Sequence, residues 1–360
     1  MDRFRLVPGS PSFHWRSRAT QLDGHQLFSY ARHAMIQFLA FLKHRKAFEK
    51  LRLLLPRYMC HEVIITLRQH AEHVSFFSQA EDFSFNLAQI REQCVRENIN
   101  VVLISHLYGK RISVEPLRGI CDELGIVLLE DSAHLPWFVL EDEPQYSHAR
   151  IFTYRKLFAL PYGASIRVCP AWRAAFASYC ETEVEWKSEP FAGLAFFKWL
   201  ARDSVKALIK GSGMTWRRAY AELGIDPLRE FNCAPGVLRL CMQHLRDDQY
   251  VGNRKRNYEL LRREFTSNFS GWKILDCNGE RDVPYQFLIY QNTSIDAVSI
   301  LDRFLYFGVS AVKGLELLPE TRAQLGKDHP FNNQIGLPIH QDLSRAQIDH
   351  ILETCRTALA

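Results

Sequence analysis

No apolar run in this 360-residue chain approaches the roughly 18 residues that a membrane-spanning helix needs. The greasiest piece, residues 191–200, is short and is interrupted by Lys198. Nor does the N-terminus, Met1-Asp2-Arg3-Phe4-Arg5 leading into Pro8-Gly9-Ser10-Pro11, contain the apolar core of a secretory signal. No membrane partner is expected. No C-x-x-C pair occurs among the nine cysteines, at 60, 94, 121, 169, 180, 233, 241, 277 and 355. An odd, dispersed set in a chain without an export signal reads as reduced thiols in a cytoplasmic protein. Metal-binding spacing is missing as well: His61-Glu62 opens like H-E-x-x-H, but Ile65 stands where the second histidine is required. No metal is expected. A strong excess of one charge is also lacking, since 45 basic and 40 acidic residues leave a net charge of only +5. The clusters Arg217-Arg218 and Arg254-Lys255-Arg256 read as solvated helix faces, so no nucleic-acid partner is expected. Internal repeats and low-complexity segments are absent.

What is there is a chain long enough for two domains, 47% apolar and 24% charged, the composition of a globular enzyme. Its most informative stretch is residues 98–134, NINVVLISHLYGKRISVEPLRGICDELGIVLLEDSAH. A continuous apolar run at 101–104 ends at Ser105-His106. A turn follows at Tyr108-Gly109, then an amphipathic helix pattern through Val114, Leu117, Ile120, Cys121 and Leu124. A second apolar run, 126–129, stops at Glu130-Asp131. Strand, helix and strand in that order make a βαβ unit, and fully apolar strands indicate a parallel sheet buried on both faces. Ligands of such sheets sit beyond the carboxyl ends of the strands. Those ends carry His106 and Asp131, and a carboxylate closing a buried strand is costly unless a cation uses it.

The alternation continues on both sides. Helical spacing runs over 33–48, 61–69 and 85–95, and strands are expected at 52–55, 74–77, 150–154 and 164–168, the last two paired across the connection 156–163. This is the pattern of a doubly wound α/β domain. From Ala171 the character changes to helical stretches, including a long one over 232–265. Strands at 272–275, 286–290 and 308–312 then mix with helices at 295–304 and 345–359. A large α/β domain at 1–248 and a smaller C-terminal α+β domain at 249–360 are expected.

The order apolar strand, His-x-Tyr-Gly, helix, apolar strand and Glu-Asp-Ser-Ala-His resembles the DegT/StrS-type sugar aminotransferases. Leu53-Leu54-Leu55-Pro56 before Arg57-Tyr58-Met59-Cys60 is similar to that family's strand ending in proline. Ser29-Tyr30-Ala31-Arg32-His33-Ala34 resembles its glycine-arginine helix start, with Ala31 for the glycine, and Leu337-Pro338-Ile339-His340 before Asp342-Leu343-Ser344 its closing segment. The resemblance covers most of the chain and is most specific at 130–134. It implies an α/β protein whose large domain is like that of the fold-type-I pyridoxal phosphate (PLP) transferases, with a mainly parallel sheet, working as a homodimer with PLP as cofactor.

PLP is an electron sink that needs a carboxylate at its ring nitrogen, a lysine, a phosphate cradle and something packed on the ring. The resemblance assigns the carboxylate to Asp131; a turn or capping aspartate is the bland alternative. His134 matches a Gln or His beside the cofactor's phenolic oxygen, and an ordinary surface histidine is equally open. Thr153 stands for the family's phosphate-binding serine. The lysine expected five residues later is Phe158, whereas Lys156 lies three residues after Thr153 and is the sole lysine between Lys110 and Lys187. Two accounts are open: a shortened loop that still brings Lys156 to the cofactor, or a protein that has lost the lysine linkage. The first makes Lys156 catalytic and requires Arg155 to point away. Ser29, Tyr30 and Ala31 precede a helix whose amides would cradle the phosphate. Asn232 resembles the asparagine that reaches the phosphate from the partner subunit. Cys60 occupies the ring-stacking position; Tyr58 is either its substitute or core. Arg254, Asn257 and Tyr258 fit the family's helix, where packing and ion pairing suffice to explain them.

The expected function is a PLP-dependent aminotransferase that acts on a small keto substrate, a keto-sugar that is nucleotide-linked or a related carbonyl metabolite, with glutamate as amino donor. The departures Ala31, Cys60, Phe158, Ala164 and Ala234 leave two alternatives: a non-catalytic homologue acting as a binding or regulatory subunit, and a different PLP reaction such as dehydration.

Overall fold

The apolar runs become neighbouring strands of one sheet. A computed structural model describes residues 24–45, 47–141, 143–158, 163–184, 249–293, 295–326 and 329–359. Its first sheet holds β1 (His25–Phe28), β2 (Arg52–Pro56), β3 (His73–Phe77), β4 (Val101–Ser105), β5 (Val127–Ser132), β6 (Ala149–Thr153) and β7 (Ala164–Val168). Their order is β1-β7-β6-β5-β4-β2-β3. Strands β2 to β6 are parallel, and β7 runs antiparallel to β6 and β1. Alternate residues serve opposite faces. Leu53, Leu55, Val101, Leu103, Val127, Leu129 and Ile151 pack against α1 (Ala31–His44), α2 (His61–His70) and α5 (Pro170–Thr182). Leu54, Val102, Ile104 and Leu128 pack against α3 (Leu87–Arg96) and α4 (Glu115–Leu124). Both faces being dry explains why the runs are unbroken rather than alternating, and each fully buried leucine contributes on the order of 2 kcal/mol.

The second sheet is antiparallel throughout, in the order β10-β11-β9-β8, with β8 (Lys273–Ile274), β9 (Gln286–Tyr290), β10 (Val312–Lys313) and β11 (Gln334–Pro338). Phe287, Ile289, Ile335 and Leu337 cover one face with helices Tyr250–Asn268, Ala297–Tyr306 and Arg345–Ala358. The last helix starts at a capping box in which Ser344 and Gln347 satisfy each other's backbone amides. Leu288 points the other way, into a cluster with Tyr58, Phe83, Tyr108 and Phe331 that joins the two sheets.

Two elements differ from expectation. The edge strand β1 was not foreseen, and the strand expected at 308–312 reduces to two exposed residues, Val312 and Lys313. Residues 185–248 lie outside the described residues, and with them the first half of the long helical stretch. Arg254, Asn257 and Tyr258 are structural: they donate to Gln341 Oε1 at 3.1 Å, the His340 carbonyl at 3.0 Å and the Leu275 carbonyl at 2.6 Å. Among the described residues no helix is long and apolar enough to cross a membrane, and no His, Cys, Asp and Glu group could hold a metal.

Candidate active site

The pleat of β5 sends Glu130 and Asp131 to opposite sides at the carboxyl edge of the sheet. Glu130 is completely buried and surrounded by donors. His106 Nε2 lies 2.9 Å and Ser147 Oγ 2.8 Å from its carboxylate. Arg150 Nε forms an ion pair with it at 2.9 Å, too oblique for a hydrogen bond. Burial alone would raise this carboxyl, but the His106 hydrogen bond and the Arg150 charge outweigh it and hold it at about 2. Asp131 receives only neutral donors, the Ala133 N–H at 3.0 Å and Ser105 Oγ at 3.3 Å. Burial pushes its carboxyl above the usual range, and the opposing pull of the Lys156 charge, the Ala133 N–H and Ser105 does not overcome it.

His134 and Lys156 meet beside Asp131. The Tyr108 N–H donates to His134 Nδ1 at 2.9 Å, so we assign the ring proton to Nε2. Nε2 lies 3.1 Å from Lys156 Nζ. Burial, then the Lys156 charge, holds His134 well below its ordinary pKa, and burial lowers Lys156 against the pull of Asp131. With Nδ1 occupied, the imidazole turns Nε2–H toward the Lys156 amine, a contact that favours the unprotonated form of that amine. The ring is also clamped by Tyr285, stacked at 4.5 Å and 8° between planes. Tyr108 presents its N–H from a left-handed conformation (φ 53°), and the next residue, Gly109, has φ 86°. A Cβ on Gly109 would stand 1.8 Å from the Val283 carbonyl oxygen, so only glycine closes this turn.

Lys156 reaches the site because the chain turns immediately after β6. The N–H groups of Leu157 and Phe158 both donate to the Tyr154 carbonyl, at 3.0 and 2.9 Å. That turn delivers Phe158 to an aromatic cluster, 5.7 Å from Trp137 and 5.3 Å from Tyr250 between ring centroids. Arg155 does not turn away from the site: its guanidinium lies 5.3 Å from the Tyr30 ring and its side chain lines the same cleft as Lys156.

That cleft is narrow and open to solvent, with Met35, Met59 and Leu107 among its apolar walls. Of the residues singled out from sequence, Asp131, His134, Thr153, Lys156, Tyr30, Ala31 and Cys60 line it. Ser29 is buried behind Tyr30, its carbonyl accepting from the Gly163 N–H at 2.8 Å. Tyr58 is core, bonded to the Tyr108 hydroxyl at 2.8 Å and packed 4.2 Å from Phe331 between ring centroids. His106 turns to Glu130 and accepts the Ile112 N–H at 3.0 Å, so it supports the strand ends rather than the cleft. Asn232 lies outside the described residues. Sequence reasoning missed Tyr285, Arg150 and Glu62, the last a cleft-lining residue beside Arg32.

Residues 65–135 match the sequence model of the DegT/DnrJ/EryC1/StrS aminotransferase family. That segment holds the strand, His-x-Tyr-Gly turn, helix and Asp131 strand end described above. Helicobacter pylori PseC, an aminotransferase of pseudoaminic acid biosynthesis, superposes with a TM-score of 0.63 at 14% identity, covering 93% of this chain and 86% of its own. Streptococcus pneumoniae Spr1654 in its PLP form gives 0.63 at 14% identity and 98% coverage of both chains. The sugar aminotransferase CalS13 from Micromonospora echinospora gives 0.62 at 10% identity, covering 92% of this chain and 87% of its own. The chain has the fold-type-I aminotransferase fold. No curated protein sequence matches it.

The residues present fit PLP. Asp131 is a buried carboxyl whose charge burial disfavours, a cost that a protonated ring nitrogen would offset. Thr153 Oγ1 is buried without a hydrogen-bond partner among the described residues, and Thr153 lines the cleft together with Tyr30 and Ala31 at the start of α1. Lys156 brings an amine whose pKa burial lowers into the same cleft.

Proposed function

We propose that the protein is a PLP-dependent aminotransferase that transfers the amino group of glutamate to a keto-sugar carried on a nucleotide. The observation that carries this reading is the His134–Lys156 contact inside the Asp131 cleft. When bound, PLP supplies an aldehyde that takes up the amino group and a ring that accepts the electron pair of the substrate carbon. Asp131 would hold the ring-nitrogen proton, because its own burial is relieved only by a facing cation. Lys156, once free, takes the proton from the donor's α-carbon and returns one to the carbon that receives the amino group, general acid–base work suited to an amine with a lowered pKa. His134, with its ring proton on Nε2, would favour the unprotonated amine and hold it in place. Compared with a non-catalytic homologue, this reading gains support from Lys156 reaching the cleft despite its early position.

The same reading makes the protein a cytoplasmic homodimer in which Asn232 reaches the partner's cofactor phosphate, with 1–248 as cofactor domain and 249–360 as small domain. Sedimentation of the holoprotein checks the dimer, and a monomer removes Asn232 from the site. The purified protein mixed with PLP should develop a visible absorption band that borohydride bleaches, with the label on Lys156 by peptide mass. Lys156→Ala should abolish the label and cut turnover by about 10⁴-fold or more. A bleachable band on another lysine, or none, ends the proposal.

A further inference from the structure

The phosphate end of the cleft carries more positive charge than helix amides alone. Helix α1 is 14 residues long, and its N-cap, Tyr30, makes no side-chain cap to the first-turn amides. Thr153, 3% exposed, lines the cleft there with its hydroxyl unpartnered. Two guanidinium groups converge on the Tyr30 ring, Arg32 at 4.8 Å and Arg155 at 5.3 Å, and both side chains line the cleft. Glu62 lies 3.5 Å from Arg32 with 44% of its side chain exposed, a pair that solvent screens. No carboxylate among the described residues pairs with Arg155. Two guanidinium groups, a helix N-terminus and a buried hydroxyl donor suit a doubly charged phosphate monoester.

We propose that Arg32 and Arg155 form an intrachain clamp on the phosphate of the cofactor. The inference rests on the proposed function, and its test separates the two. Cofactor-free protein is titrated with PLP, with pyridoxal, which lacks the phosphate, with inorganic phosphate and with a nucleoside diphosphate, using tryptophan fluorescence and dialysis. Arg155→Met should weaken PLP binding by at least about tenfold, the size of a lost charge-assisted contact, and Arg155→Lys should restore part of it. Pyridoxal affinity should stay within about twofold, and inorganic phosphate should compete with PLP in the wild type but poorly in the variant. Arg32→Met should behave alike, with circular dichroism confirming its fold. Unchanged PLP affinity in Arg155→Met, or an equal loss for pyridoxal, overturns the clamp while leaving the aminotransferase reading intact. Loss confined to the nucleoside diphosphate assigns the arginines to the substrate's phosphates and overturns the cofactor assignment. A wild type that binds phosphate but neither PLP nor pyridoxal overturns both proposals.

Discussion

Glu130 and Asp131 are adjacent carboxylates on one buried strand end, yet their surroundings are opposite. Glu130 has an arginine, a histidine and a serine hydroxyl turned toward it and is held near a pKa of about 2. Asp131 has an N–H and a hydroxyl, and burial pushes it up. The first carboxylate is already satisfied and serves the fold. The second lacks such a set of partners, and in the proposed reading a cationic ligand makes up the difference. Burial alone therefore does not mark a functional carboxylate; the missing counter-charge does.

The comparison can be broken at either residue. The largest effect is expected of Asp131→Asn, which should cut turnover by about 10²–10⁴-fold because an amide cannot hold a ring proton. In cofactor-free protein the same change should leave the melting temperature unchanged or raise it, since the raised pKa means that the ionised carboxylate costs stability. Near-normal turnover would move Asp131 to the structural side. Glu130→Gln should do the reverse: about 3–5 kcal/mol of stability lost by leaving Arg150 buried and unpaired, with activity per folded molecule largely kept. A denaturation midpoint equal to wild type would contradict the account of Glu130.

A smaller, graded effect should follow acidification. His25 is lowered to about 3 by burial and then by Arg167, and His148 to about 4 by burial and then by Arg118. Both stay neutral in the fold, so the unfolded chain takes up protons first, and stability should begin to fall below the ordinary histidine pKa of 6.5. Glu130 adds to the loss below its ordinary 4.5, as pH approaches about 2. Stability flat between pH 6.5 and 4 would mean that the two histidines are not buried neutral.

The parallel strands were legible because each is an unbroken apolar run, and Asp131 was legible because it ends one. β1 was not: His25–Phe28 is four residues long, its pairing is with β7, about 140 positions away, and no local turn announces it. The lysine was legible as the one candidate in its region, but its reach was not. That reach depends on the turn at Tyr154, which buries Phe158 among aromatic rings from elsewhere in the chain. Tyr285 carried no signal at all, since its role exists only where it lies on His134.

The turn at Tyr108 and Gly109 also fixes how the protein should wear out. The Tyr285 and Val283 N–H groups bond to the Tyr108 and Gly109 carbonyls at 2.9 and 3.0 Å, while the Tyr108 N–H orients His134. The seam between the two sheets and the orientation of His134 thus share one three-bond knot. Slight parting of the sheets frees the His134 ring before any strand or helix is lost. On warming, catalytic ageing should run ahead of denaturation, leaving a population that is folded by every spectroscopic measure and already inert.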